Sequence, residues 1–168
     1  NKTICSGATQ VIGANAVTGN TYSWTSNPSG FTSTLSKPNV SPTTTTTYYL
    51  TETVGSTSCN KSDSCVVTVN PLPSAIIQGT IDVCQNDTNP VVTFTGSLGT
   101  APYTFSYTLN GGAVQTVNST GNTATISVPT TAAGTFTYSL VDVKDSSSTT
   151  CLKAITGQTA IVKVNPLP

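Results

Sequence analysis

The chain has no histidine, no arginine and no methionine, and only 7% of its 168 residues are charged, six lysines against six acids. Each absence removes a class of function. Without His there is no Ser–His or Cys–His nucleophile system, and the commonest general base is missing. Without Arg, and at a net charge of zero, no basic face exists to neutralise phosphates, so no nucleic acid is expected as a partner. A zinc site would need His or a CxxC, and neither occurs. The acids form no "DxDxDG" calcium loop, and no cofactor is expected. No apolar run approaches the roughly 18 to 20 residues that cross a bilayer, which argues against direct membrane insertion. The six acids (Glu52, Asp63, Asp82, Asp87, Asp142, Asp145) are scattered and offer no evident glycosidase pair. The chain is therefore read as non-catalytic.

What is abundant is threonine, 35 residues of it. Thr and Val suit a pleated, half-exposed strand and are restricted in helices by their branched Cβ, so composition predicts an all-β fold. The pentapeptide "VNPLP" stands at Val69–Pro73 and again at Val164–Pro168. Setting the two copies in register divides the chain into 1–73 and 74–168. The halves then correspond in order. "TICSG" answers "IDVCQN", "TYYLTET" answers "TYSLVDV", "GSTSC" answers "SSSTTC", and "CVVTVNPLP" answers "AIVKVNPLP". The pattern is that of a tandem duplication whose joint is Asn70, Pro71, Leu72 and Pro73, with both prolines locking φ near −65° and holding the preceding residue extended.

Turn residues cut each half into six or seven short runs. In the first, strands are expected near Thr3–Cys5, Thr9–Gly13, Thr21–Thr25, Thr32–Leu35, Thr46–Thr53 and Cys65–Asn70, with "SNPSG" and "SKPNVSP" as breakers. In the second they are expected near Thr80–Cys84, Val91–Thr95, Tyr103–Asn110, Ala113–Asn118, Thr123–Val128, Thr135–Val143 and Thr159–Asn165, with "NGG" closing a tight hairpin. This spacing predicts two immunoglobulin-like β-sandwiches joined by a short Pro-containing linker. Alternation places Tyr22, Trp24, Tyr48, Leu50, Val67 and Val69 in the first core, and Phe105, Tyr107, Leu109, Phe136, Tyr138 and Leu140 in the second. Tyr49, out of phase with Tyr48, faces outward. With Tyr22 and Tyr103 it is a candidate ligand contact.

Five cysteines in so lean a chain imply disulfides and an oxidising compartment. Their matching positions suggest Cys5–Cys59 and Cys84–Cys151, one bridge per half. Cys65 has no counterpart. It is an intermolecular thiol, a rival partner for Cys5, or an inward-facing small hydrophobe.

The quoted "ICSG…YSWTSNPSGF…SPTTTTTYYLTET…SCNKSDSCVVTVNPLP" resembles the PKD-like and immunoglobulin-like repeats of Bacteroidota cell-surface proteins, and the second half resembles a longer variety of them. Such repeats occur in large secreted adhesins, including mobile gliding adhesins exported by the type IX system. The resemblance implies an early–late cysteine bridge in each repeat, neighbouring repeats of the same parent chain as partners, an extracellular or cell-surface location, and no catalytic residues. The expected role is a stalk and surface-adhesion module, touching extracellular polysaccharide or solid surfaces through many weak contacts. A carbohydrate-binding accessory module of a secreted enzyme and a self-assembling filament subunit are the alternatives.

Overall fold

The computed structural model describes residues 1–168, all of them in strands, turns and loops with no helix. Two compact units divide the chain, Asn1–Pro71 and Leu72–Pro168. The boundary falls before Leu72 because Pro73 is fully buried, against Gly99, where an added Cβ would lie 3.0 Å from the Pro73 ring carbon and 2.8 Å from Asp145. Asn70 closes the last strand of the first unit. Of the four residues expected to form the joint, one is therefore strand and one is core.

The first unit contains β1 (Lys2–Cys5), β2 (Gln10–Val11), β3 (Asn20–Asn27), β4 (Asn39–Val40), β5 (Thr46–Val54) and β6 (Asn60–Asn70). Its main sheet has the order β1-β6-β5-β3, with β1 parallel to β6 and the rest antiparallel. The two-residue pair β2–β4 forms the second layer. Between the layers lie Ile4, Ile12, Trp24, Val40, Tyr48 and Val67, with Phe31, Leu50, Cys65 and Val69 at the margin. Phe31 meets Tyr48 edge-on at 5.3 Å. Tyr22 is not in this core. It is half-exposed, and its hydroxyl accepts a bond from the Val17 amide at 2.7 Å.

Two further expectations fail in this unit. Residues 32–35 are not a strand, because Trp24 uses their backbone. Its amide and carbonyl bond with Ser33, and its indole Nε1 donates to the Leu35 carbonyl at 2.9 Å. The breaker "SKPNVSP" instead supplies β4, whose Val40 is a core residue. Gly13 makes room for this arrangement. At φ +81°, a Cβ there would lie 2.1 Å from the Ser36 carbonyl oxygen and 2.9 Å from the Trp24 ring, so no other residue fits without moving the wall of the core.

The second unit contains β7 (Ser74–Gln78), β8 (Ile81–Cys84), β9 (Val91–Ser97), β10 (Thr104–Leu109), β11 (Val114–Asn118), β12 (Thr123–Ser127), β13 (Gly134–Lys144), β14 (Leu152–Ala154) and β15 (Thr159–Asn165). One sheet runs β11-β10-β13-β15-β8, with β14 also paired to β13, and faces the sheet β12-β9-β7. Its core is larger. Phe94 and Phe105 are fully buried with ring centroids 5.6 Å apart, and Tyr107 packs 5.3 Å from Phe94. Val92, Val128, Val143, Ala160 and Val162 are among its other buried members. The all-β, immunoglobulin-like sandwich architecture predicted from composition and turn spacing is the one observed.

The shared pentapeptide has the same structural job in both units. Val69 and Val164 pair with Ile4 and Val83 of a parallel strand, β1 and β8 respectively, and Asn70 and Asn165 pair with Cys5 and Cys84. The Asn carbonyls then accept from the amides of Ser6 (2.9 Å) and Gln85 (2.8 Å). Proline follows, has no N–H to give, and ends the ladder.

That geometry overturns both intra-unit bridges. Cys5 lies level with Asn70, at one end of β6. Cys59 precedes Asn60, at the other end of this 11-residue strand, roughly 36 Å away at about 3.3 Å per residue. A disulfide spans a Cα separation of only about 4.4–6.8 Å. In the second unit Cys84 lies beside Asn165, near the Gly134 end of β13, and Cys151 precedes Leu152, which pairs with Lys144 at the far end. Cys59 and Cys84 accordingly carry free, exposed thiols. Cys5 is disulfide-bonded, and so is Cys151, which is fully buried. A disulfide suits a secreted or cell-surface setting.

Candidate functional site

Three tyrosines are candidates for ligand contact, and the structure separates them. Tyr103 is a core residue, only 3% exposed. Its ring lies over Gly96, where a Cβ would approach to 2.5 Å, and its hydroxyl donates to the Gly99 carbonyl at 2.8 Å. Burial, with the nearby Asp145 carboxylate, pushes its pKa above the ordinary tyrosine value. It cannot meet a ligand. The Tyr22 hydroxyl is occupied by Val17. Tyr49 alone stands free, 45% exposed on the outer face of the first unit's main sheet.

The register of that sheet defines Tyr49's surroundings. Side chains opposite one another in an antiparallel pair share a face. Tyr49 therefore lies between Thr25 on β3 and Ser64 on β6, and the next row is Ser23, Thr51 and Ser62. Thr21, Thr53 and Asn60 follow. Successive rows are about 6.7 Å apart and strands about 4.8 Å apart. Thr51 and Ser62 hydroxyls approach to 3.3 Å. No charged side chain belongs to this array. All three charges of β5 and β6, Glu52, Lys61 and Asp63, fall on the opposite face by the same alternation.

On that inner face the short β2–β4 layer covers only part of the sheet. Beyond it lies an open cleft of about 450 Å³, with Trp24 and Leu50 as its floor and Glu52, Lys61, Asp63 and Cys65 around it. Lys61 is directly opposite Glu52 in register, and Glu52 also accepts from the Asn20 side-chain amide at 2.6 Å. The Cys65 thiol is free and half-buried. Burial is the main cause of its raised pKa, the Asp63 charge adds to it, and the N-terminal ammonium opposes it. Such a thiol is a poor nucleophile at neutral pH. Sequence reasoning missed this cleft because "NKSDS" carries no hydrophobic periodicity and reads as a loop. Pairing with residues 49–53 across the hairpin makes it strand, and the partner positions Glu52 and Leu50 were the available signal. No group of three His, Cys, Asp or Glu side chains is placed to hold a metal ion.

No protein-family model matches the chain, and no curated protein matches it. Among solved structures, the chain is similar to an anomalous substructure of titin, at 11% identity and TM-score 0.37, covering 98% of this chain and 94% of that one. It is similar to the N-terminal four Ig domains of a Dscam1 isoform at 14% identity and TM-score 0.32, covering 98% and 42%. SGBP-B of the Bacteroides ovatus mixed-linkage glucan utilization locus, in complex with a mixed-linkage heptasaccharide, matches at 19% identity and TM-score 0.33, again over 98% and 42%. Scores this low add nothing to the architecture described above and carry no functional argument.

Proposed function

We propose that the chain is a non-catalytic segment of a large bacterial cell-surface adhesin, of the Bacteroidota gliding-adhesin kind exported by type IX secretion. It works as a spacer and as a weak adhesive surface. The observation that carries this reading is the charge-free hydroxyl face centred on Tyr49. Neutral hydroxyl and phenol groups exchange hydrogen bonds with water for hydrogen bonds with a neutral polysaccharide or solid surface, at little desolvation cost compared with charges. Single contacts of this kind are weak and gain strength by repetition along a parent chain. The proline-ended strands support the spacer role, since Pro71 and Pro73 restrict the connection between units. Neighbouring repeats of the same chain are the immediate partners, and the cell surface is the location.

A carbohydrate-binding accessory module is the second reading, favoured by the exposure of Tyr49. Such modules stack sugars on aromatic platforms, and here the platform is one ring wide. Retention of the 168-residue protein on insoluble neutral polysaccharide tests the adhesive part. Tyr49→Ala is expected to weaken retention about three- to tenfold, the equivalent of one aromatic contact. Thr51→Glu, which sets a charge in the array, is expected to weaken it at least as much. Retention indifferent to both substitutions removes this face from the account. Selective binding of one soluble oligosaccharide would favour the accessory module.

A further inference from the structure

The second unit has an open side. The strand β11, five residues long, is the outer strand of its sheet and is paired only with β10. The following strand β12 is the outer strand of the facing sheet, paired to β9. A strand at a sheet edge leaves every second N–H and C=O unpaired, and natural sheets usually protect such an edge with Lys, Pro, a bulge or a covering segment. Here that protection is missing. There is no charged residue between Asp87 and Asp142, so neither β11 nor β12 has one. There is no proline in either strand, and their pairings with β10 and β9 run without a shift of register.

Of the other outer strands, β7 also has no charge and no proline within its five residues but follows Pro73 directly, and the rest differ. The strand β8 carries Asp82, with Lys163 beside it at 3.9 Å, and β1 carries Lys2. The outer side of β3 is occupied at its centre by the two bonds between Trp24 and Ser33. Thr120 folds back onto Thr123 and covers the start of β12. Among these edges, β11 is left bare.

We propose that β11 pairs with β11 of a second copy of this chain, in antiparallel orientation, joining two β11-β10-β13-β15-β8 sheets into one. The strand is complementary to itself. Centred on Thr116, the pairing sets Gln115 opposite Val117 and Val114 opposite Asn118, and no like charges meet. Thr116, paired with Ser106 on the outer face, meets its own counterpart across the two-fold axis. An uncharged edge carries nothing that would select a foreign, charged strand. A pairing of this symmetry is isologous and closes at two copies, so it makes dimers and not filaments. Five-residue pairing is weak, and it gains from the high local concentration of chains anchored side by side on one surface.

The test is sedimentation of the 168-residue protein in reductant, which removes cysteine cross-links, from micromolar to millimolar concentration. The expected result is a rise from 17.2 kDa towards twice that mass, with no larger species. Thr116→Lys places two ammonium groups opposite each other and is expected to raise the concentration of half-dimerisation at least roughly tenfold. Asn15→Lys, at an exposed position of the first unit outside the hydroxyl array, is expected to leave it unchanged. Backbone amide exchange on the wild-type protein gives an independent reading, with β11 amides slowing as concentration rises while those of the first unit do not. Monomer at every concentration, or a dimer unaffected by Thr116→Lys, overturns the proposal. So does β11 exchange that ignores concentration, which also decides the matter if Thr116→Lys fails to fold. Polysaccharide retention is measured separately, so either proposal can fail without the other.

Discussion

Trp24→Ala is expected to unfold the first unit and leave the second folded. The indole is 3% exposed, and the small core formed with Ile4, Ile12, Val40, Tyr48 and Val67 has no larger member. Truncating a buried aromatic costs about 3–5 kcal/mol. Here the loss is compounded, because the Leu35 carbonyl loses the indole N–H that anchors residues 33–36. A unit of this size has roughly 4–10 kcal/mol in hand, so the substitution takes most of it. The second unit shares none of these core residues. Amide exchange followed by mass spectrometry is the direct check. Peptides from Asn1–Pro71 should exchange within the dead time, and those of β10, β13 and β15 should keep wild-type protection. Loss of protection in both units would mean that they do not fold on separate cores.

The second large effect is expected at Asp145. This carboxylate is 3% exposed, and donors surround it. Oδ1 accepts from the Cys151 amide at 2.7 Å, the Ser147 hydroxyl at 2.8 Å and the Ser147 amide at 3.3 Å. Oδ2 accepts from the Thr100 amide at 3.1 Å. The side chain thereby closes the loop from β13 to β14 and ties it to the turn that carries Gly99. Asp145→Ala leaves these donors without an acceptor in a site closed to water, which costs about 3–5 kcal/mol. Asp145→Asn keeps the Oδ1 acceptor but turns an amide NH₂ towards the Thr100 N–H, so its cost should be intermediate. Thermal melts of the two variants, with tyrosine absorbance from three tyrosines in each unit read against the fluorescence of Trp24 in the first unit alone, should rank wild type above Asn above Ala. Equal melting temperatures for all three would show that the buried carboxylate holds nothing.

The sandwich class was readable because its signals are local. Val, Thr and turn residues at short intervals announce strands, and the Phe105–Tyr107 and Tyr138–Leu140 alternations are core in the structure. The outward phase of Tyr49 followed from the inward phase of Tyr48. What was not readable depends on distant partners. Nothing near Thr32–Leu35 says that an indole eleven residues before Leu35 will take the Leu35 carbonyl. Nothing in "NKSDS" says strand until β5 is laid beside it. The segment "SAIIQ" did carry a signal, since Ala75 and Ile77 alternate inward, but it stands directly after the prolines of the joint and is not among the strands expected from the sequence. The cysteine pairing failed for a related reason. Matching positions in two repeats fix equivalence, not proximity, and strand lengths of 11 residues keep the expected partners at opposite ends.

The candidate site divides along the same line. Its array of Thr and Ser is a consequence of period-two alternation and could be listed from the sequence once the register was known. The cleft on the inner face could not, because it exists only where the second layer is missing. A short covering layer is a property of the loops around β2 and β4, where prolines and glycine end strands after two residues.

The proposed spacer requires two β units that each fold on a separate core. The most direct measurement is a single-molecule pull on the two chain ends in reductant. Two discrete unfolding steps are expected, releasing Asn1–Pro71 and Leu72–Pro168, or about 26 nm and about 35 nm of contour at roughly 3.6 Å per residue. A single step that releases the whole chain at once would contradict it.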